Sequence, residues 1–178
     1  MNILYVSGSP RKNSNTDILI EISLSITGGQ IIKLSNYTIK PCISCWKCLE
    51  VDSCVLHDDM TDQIIPMLLD CDGLVIGSPV YFNNVSSLIK AFMDRTWSLK
   101  NKLRNKIGGA IVVGRGFGSE GAMAAINAFF LKHEIIPVNR GVTGCAYEAG
   151  AVAYCEDAKD AAKNLGCRIN EIGSLLKR

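Results

Sequence analysis

Asn2-Ile3-Leu4-Tyr5-Val6-Ser7-Gly8-Ser9-Pro10-Arg11-Lys12-Asn13-Ser14-Asn15-Thr16 is the stretch that decides the fold. Ile3 to Val6 form a short unbroken apolar run, so residues 2–6 read as a strand buried on both faces. Ser7 to Thr16 then gather hydroxyls, side-chain amides and one guanidinium around Gly8 and Pro10. Ile18, Leu19, Ile22 and Ile26 follow at helical spacing, which predicts a helix from about Thr16. A polar loop opening onto a helix N-terminus offers free backbone N–H groups and the positive end of the macrodipole, so it suits an anion. The loop reads as a phosphate cradle, with a polar turn ahead of a well-capped helix as the plain alternative. No Gly-Lys-Ser/Thr follows, which argues against nucleoside triphosphate hydrolysis.

The same alternation continues outward. Gly28-Gly29 should end the first helix, and Gln30–Ser35 form a second strand. Asp58 or Asp59 can cap a second helix carrying Ile64, Ile65, Leu68 and Leu69. Residues 72–78 read as the third strand, and Val85 to about Leu103 as a helix. Ile107–Val113 form the fourth strand, and a helix is expected from Ser119 to about Leu131. A strand near Ile135–Thr143 and a helix from about Glu156 to Leu176 complete the series. Five strands with intervening helices predict one α/β domain over residues 1–178, a doubly wound parallel sheet in the flavodoxin-like order 2-1-3-4-5.

One segment breaks the pattern. Residues 37–57, after strand 2, contain Cys42-Ile-Ser-Cys45-Trp-Lys-Cys48-Leu-Glu-Val-Asp-Ser-Cys54, half of the chain's eight cysteines. Three thiols at three-residue spacing suit the corner of a cubane iron–sulfur cluster. Structural zinc sites instead pair two well-separated knuckles. Val55, not proline, follows Cys54, so Cys54 reads as the member that closes the same site. Zinc and a metal-free thiol loop stand as the alternatives. Trp46, between two thiols, reads first as an anchor in a subunit interface. Cys71, Cys145, Cys155 and Cys167 are dispersed and read as small buried hydrophobes.

The bulk composition narrows the classes. The chain has 178 residues, 48% hydrophobic and 20% charged, with a formal net charge of +2. That balance makes no case for nucleic acid or an anionic membrane as partner. No run approaches the roughly 18 apolar residues of a membrane span, and no basic, apolar leader opens the sequence. A cytoplasmic protein is expected, where clustered cysteines point to metal or redox chemistry. Lys100, Lys102, Arg104 and Lys106 read as a solvated helix end.

Ligands of such a sheet bind beyond the carboxyl ends of the strands, where the strand order reverses. Three loops should meet there. The first offers Ser9, Arg11, Ser14, Asn15 and Thr16. The second, Pro79-Val80-Tyr81-Phe82-Asn83, supplies a stiff backbone and flat apolar surface. The third, Gly114-Arg115-Gly116-Phe117, lets the backbone approach closely. A ligand with one phosphate and one flat aromatic head meets that description, and FMN is such a ligand.

The run from Ser7 to Thr16, with Gly77-Ser78-Pro79-Val80-Tyr81-Phe82 and Leu88-Ile89-Lys90-Ala91-Phe92-Met93-Asp94-Arg95, resembles the NADPH-dependent FMN reductase superfamily. The compact cysteine motif is similar to that of its iron–sulfur flavoprotein branch. The resemblance implies that Ser9, Arg11, Ser14, Asn15 and Thr16 hold the FMN phosphate. It implies that Pro79, Val80, Tyr81, Phe82 and Asn83 line the ring and ribityl chain, with Gly114, Arg115, Gly116 and Phe117 closing over the ring. It further implies that Cys42, Cys45, Cys48 and Cys54 ligate a 4Fe-4S cluster, and that the chain forms homodimers or homotetramers. Asp94-Arg95 reads as an ion pair near a helix end. Residues 144–155 match no part of the family pattern and lie where a substrate-selecting loop belongs.

The expected function is an FMN-dependent oxidoreductase relaying electrons from a ferredoxin-type donor or NAD(P)H, through cluster and FMN, to a small-molecule acceptor. Alternatives are an NAD(P)H-dependent FMN or quinone reductase with a structural or zinc-binding loop, a non-catalytic flavin redox sensor, and a biosynthetic dehydrogenase. No general acid or base is evident. His57 reads as solvent-facing and His133 as a helix-end residue.

Overall fold

The computed structural model describes residues 1–176. Strand β1 (Ile3–Ser7) pairs in parallel with β2 (Gln30–Lys33) on one side and β3 (Gly73–Pro79) on the other. β4 (Ile107–Gly114) lies beside β3, and the order β2-β1-β3-β4-β5 is the doubly wound one expected. Helices α1 (Asn15–Thr27), α2 (Ile65–Asp70), α3 (Ser87–Arg95), α4 (Ser119–Lys132) and α5 (Glu156–Leu176) cover the two faces.

The expected fifth strand is divided. β5 (Ile136–Pro137) and β6 (Val142–Cys145) pair with successive stretches of the same strand, β4. Pro137 brings no N–H to the ladder, and the chain then turns. Asn139 Oδ1 accepts the Gly141 N–H at 2.8 Å, and Gly141 sits at φ 95°. A side-chain turn of this kind competes with strand pairing, which is why one apolar run yields two short strands.

The central strands are apolar throughout, yet their side chains still alternate. Leu4, Val6, Leu74, Ile76 and Val112 face a core completed by Leu68, Ile89, Phe92, Ile126 and Phe130. Ile3, Tyr5, Val75, Ile111 and Val113 face α1 and α5 through Leu19, Ile20, Leu165 and Ile169. Each such side chain contributes roughly 1.5–3 kcal/mol through burial. Tyr5 is fully buried and ties its hydroxyl to Ser23 and Thr27 of α1, at 3.0 and 2.7 Å.

Two helices differ from their sequence boundaries. α3 starts at Ser87 because Ser86 Oγ accepts the Ile89 N–H and donates to the Gly8 carbonyl. It ends at Arg95, not near Leu103, because the Thr96 hydroxyl donates to the Met93 carbonyl and the chain tightens over Thr96–Leu99. The basic residues at 100–106 therefore lie in turns, not on a helix end. Ahead of α2, Met60–Ile64 forms a widened turn. Pro66 cannot donate to the carbonyl one helical turn earlier, so the regular ladder starts only beyond it.

The cysteine segment leaves the sheet after β2 and has only a single short helical turn at Lys47–Leu49. Ser44, Trp46 and Asp52 hold positive φ, a costly conformation for residues with a Cβ. What holds the segment is Arg95. Its Nη1 donates to Asp58 Oδ2 at 2.7 Å and to the Lys40 carbonyl at 2.8 Å. Its Nη2 donates to Asp58 Oδ1, the Leu56 carbonyl and Thr61 Oγ1 at 3.0–3.1 Å. Lys40 lies on the incoming stem of the loop, Leu56 and Asp58 on the outgoing one. The expected Asp94–Arg95 ion pair is thus corrected: Asp94 pairs on the surface with Lys90, one turn back, while Arg95 points inward. Asp58 also caps the widened turn, accepting the Met60 and Thr61 N–H groups.

The Arg95 and Asp58 side chains are 0% and 2% exposed. Burial disfavours the charge of Asp58, but the Arg95 guanidinium and the backbone N–H groups outweigh it, and its carboxyl is held below 3.8. Removing one partner leaves a buried charge unpaired, so Asp58→Asn should lower stability by about 3–5 kcal/mol in urea unfolding at neutral pH. A depressed pKa contributes stability above the unfolded value and loses it as pH falls through the folded one. The gap between wild type and Asp58→Asn should therefore shrink below pH 3.8; a constant gap through that range rules out the ionised pair.

Candidate functional site

At the carboxyl ends of β1, β3 and β4 a cavity of about 420 Å³ opens, within the range of ligand sites. Its walls include Ser9, Arg11, Ser14, Asn15, Thr16, Pro79, Val80, Tyr81, Phe82, Gly114 and Arg115, so the three loops do meet. Asn83, Gly116 and Phe117 lie outside the wall. Val113 and Ala146 join it, and plain apolar residues of that kind carry no sequence signal.

The phosphate end is built by α1. Ser14 caps the helix, its Oγ accepting the Asp17 N–H at 3.2 Å. The first-turn N–H groups of Asn15 and Thr16 have no carbonyl a turn earlier to bond, and they face this end of the site. Asp17 would repel an anion there, but Lys33 from the end of β2 pairs with it at 2.5 Å and Ser7 donates to it. Asn15 plays a different part from the one expected of its side chain. Its amide donates to the Glu148 carbonyl at 2.8 Å and accepts the Val152 N–H at 3.1 Å. The side chain thus fastens loop 146–154 over the cradle, leaving its backbone N–H for an anion.

The ring end is a strained hairpin. Tyr81 and Asn84 exchange backbone hydrogen bonds at 2.9 and 3.0 Å, with Phe82 and Asn83 between them at φ 48° and 59°. Two successive positive φ values form a tight turn that usually calls for Asn-Gly, and a phenylalanine there stores strain. Phe82 is fully exposed, so no burial of its ring compensates for it. Two glycines hold the hairpin. A Cβ on Gly121 would stand 2.0 Å from the Asn83 carbonyl oxygen, and one on Gly118 2.4 Å from Asn83 Oδ1. Asn83 therefore fixes the hairpin from outside the cavity wall. Arg115 lies over the Tyr147 ring, 5.9 Å from its centroid.

The four clustered thiols lie on the far side of β3 from α1. Cys42 and Cys45 are exposed, Cys48 and Cys54 half-buried, and Cys42 Sγ accepts the Ser44 N–H at 3.5 Å. Burial, and the neighbouring thiols Cys54, Cys45 and Cys42, push the Cys48 thiol up. Among the described residues, no three Cys, His, Asp or Glu side chains stand together as ligands of a single ion. A cubane binds each thiolate to a different iron and so needs them farther apart. Arg95 supplies the positive sign for such a group. Its Nε is buried without a partner among the described residues; burial disfavours the guanidinium charge, and Asp58 first, then Cys54, outweighs it. A cluster thiolate at Cys54 would accept that N–H, and hydrogen bonds to sulfur tune a cluster's potential.

Elsewhere, Cys71 is a small core residue with its thiol pushed up to about 11 by burial. Cys145 and Cys167 are exposed, against expectation, because each lies on the outward side of its element. His57 is exposed, and His133 closes α4 as expected but is buried.

Residues 1–148 match the family model of the NADPH-dependent FMN reductases. An iron–sulfur flavoprotein of Methanocaldococcus jannaschii is 35% identical over the full length of both chains. An iron–sulfur flavoprotein of Methanosarcina thermophila is 34% identical, over 78% of this chain and 77% of its own. Among solved structures, RosB with a bound riboflavin-phosphate intermediate superposes with a TM-score of 0.81, covering 99% of this chain and 80% of its own, at 13% identity. That last likeness is one of fold.

Arg11 is exposed and lines the cradle without an acidic partner among the described ion pairs. Arg11→Ala should weaken FMN binding by about tenfold in fluorescence titration, the scale of one charge-assisted hydrogen bond. Iron content should not change; unaltered flavin affinity would remove Arg11 from the phosphate site.

Proposed function

The chain belongs to the NADPH-dependent FMN reductase family, within its iron–sulfur flavoprotein branch, and from that membership we propose that this FMN-dependent oxidoreductase relays electrons between a ferredoxin-type donor and a small acceptor through a 4Fe-4S cluster at Cys42, Cys45, Cys48 and Cys54. When bound, FMN supplies exchange of electrons singly or in pairs and the cluster supplies exchange of single electrons. The observation that carries the reading is Arg95, a buried cation that grips both stems of the cysteine loop and keeps its Nε without a partner among the described residues.

The protein's own groups then have distinct tasks. Ser9, Arg11 and the N-terminus of α1 hold the FMN phosphate, with Asp17 neutralised by Lys33. The hairpin at 81–84, fixed by Gly118 and Gly121, sets the height of the ring against Pro79 and Val80. Arg115, on the ring side of the cavity, offsets negative charge that develops on reduction. Arg95 orients the loop, and its Nε would be free to donate to a cluster thiolate at Cys54. The cysteine loop also exposes Ile43, Trp46, Leu49 and Val51, each more than half accessible. Such a patch fits burial against a second copy in a homodimer or homotetramer. No helix of the described residues is long and apolar enough to cross a membrane, which fits the proposed cytoplasmic setting.

Anaerobic iron, sulfide, zinc and flavin analysis tests the assignment. Four irons and one FMN per chain are expected for a full site. About one zinc with no iron would overturn the cluster. Cys48→Ser should lose iron and keep FMN, because the phosphate cradle is built on other elements. Turnover with reduced ferredoxin, compared with NAD(P)H, separates the relay from a simple flavin reductase.

A further inference from the structure

Arg115 stands between Gly114 and Gly116, so neither chain neighbour offers a side chain to steady it. Its guanidinium makes no ion pair among the described residues, whereas Arg95, Arg104 and Arg168 pair with Asp58, Glu134 and Glu171. What Arg115 has instead is the Tyr147 ring, with its guanidinium carbon 5.9 Å from the centroid. At that range the face of an aromatic ring attracts a cation.

The backbone that carries Tyr147 is itself held on both sides. The Ala146 N–H donates to the Gly114 carbonyl at 3.0 Å, which joins the two loops beside the pair. The Glu148 carbonyl accepts from the Asn15 amide at 2.8 Å, which ties the loop to the first turn of α1. Arg115 and Ala146 both line the flavin cavity, at the end away from that turn. A carboxylate in place of the ring would steady the guanidinium but cancel its charge. A tyrosine face carries no net charge, so it steadies the cation and leaves the charge whole. A long side chain without such a partner spreads over many rotamers, and its field at any one point is weakened accordingly.

We propose that Tyr147 is a positioning residue for the flavin chemistry: its ring holds the Arg115 guanidinium on the ring side of the cavity with the charge uncancelled. The inference rests on the reading that this cavity binds FMN with Arg115 near its ring. A fixed positive charge there favours the reduced, more negative form of the cofactor over the oxidised one. Tyr147 acts on that balance only through Arg115. Residues 144–155, which the sequence offers as a substrate-selecting loop, thereby gain a task toward the cofactor.

The test is the flavin reduction potential of the holoprotein, poised anaerobically against reference dyes, together with the affinity for oxidised FMN by fluorescence titration. Arg115→Gln should lower the preference for reduced over oxidised FMN about tenfold, or about 30 mV for a two-electron couple. Tyr147→Leu should shift it in the same direction by about two- to fivefold, the scale of an exposed cation–ring contact. Tyr147→Phe keeps the ring and should restore the wild-type potential. The double variant Arg115→Gln/Tyr147→Leu should lie no lower than Arg115→Gln alone. An unmoved potential in Tyr147→Leu, with Arg115→Gln lowered, overturns the role of Tyr147 and leaves the charge of Arg115 standing. Additive shifts, or failure of Tyr147→Phe to rescue, also overturn it, because the ring would then act without the guanidinium. Equal loss of affinity for both oxidation states in Tyr147→Leu assigns the loop to the phosphate cradle and overturns it too. An unmoved potential in Arg115→Gln removes Arg115 from the ring side, and both the earlier reading and the proposal fall.

Discussion

The Arg95–Asp58 ion pair is the constraint on which the unusual part of this protein depends. A segment of about twenty residues with almost no regular structure cannot hold its own shape against chain entropy. Here one guanidinium bonds to backbone carbonyls on both stems, and one carboxylate bonds to both the guanidinium and the turn that restarts the fold. Replacing such a pair with apolar groups of similar size is often neutral for stability. Its value lies in geometry, because a methylene side chain cannot fix where two loop stems cross. The same guanidinium keeps its Nε without a partner among the described residues, so the group that supports the loop retains one N–H.

The flavin side is organised by the opposite device, close backbone approach. Gly118 and Gly121 let the start of α4 touch Asn83, and Ser86 joins α3 to the phosphate loop through the Gly8 carbonyl. The hairpin between them pays in strain at Phe82 and Asn83. Strain of this kind persists only where surrounding contacts over-determine the backbone, and both sides of the hairpin are so held. Asn15 extends the arrangement to loop 146–154. That loop is therefore tied to the first turn of α1 and not only to the sheet.

Much of this was legible in the residues. Apolar runs alternating with helical spacing led to the strand order, and the cysteine run marked the segment that leaves the sheet after β2. Donor density in Ser7–Thr16 located the cradle, since few structural reasons call for so many hydroxyls and amides ahead of a helix. Other features were illegible because they depend on distant partners. Nothing in Asp94-Arg95 says that the arginine turns inward while the aspartate finds Lys90. Nor does anything in Asn15 say that its side-chain amide bonds to Glu148 and Val152 far along the chain.

The amino-acid sequence by itself determined the order of elements and the place where the three loops meet. Those follow from local periodicity, turn residues and side-chain type, which act within a few residues of one another. Only the tertiary structure decided which charges are paired, which polar atoms go unpaired, and where a last strand breaks in two. Those outcomes depend on burial and on contacts between residues far apart in the chain, because a charge or an N–H is costly only once water has been removed from around it.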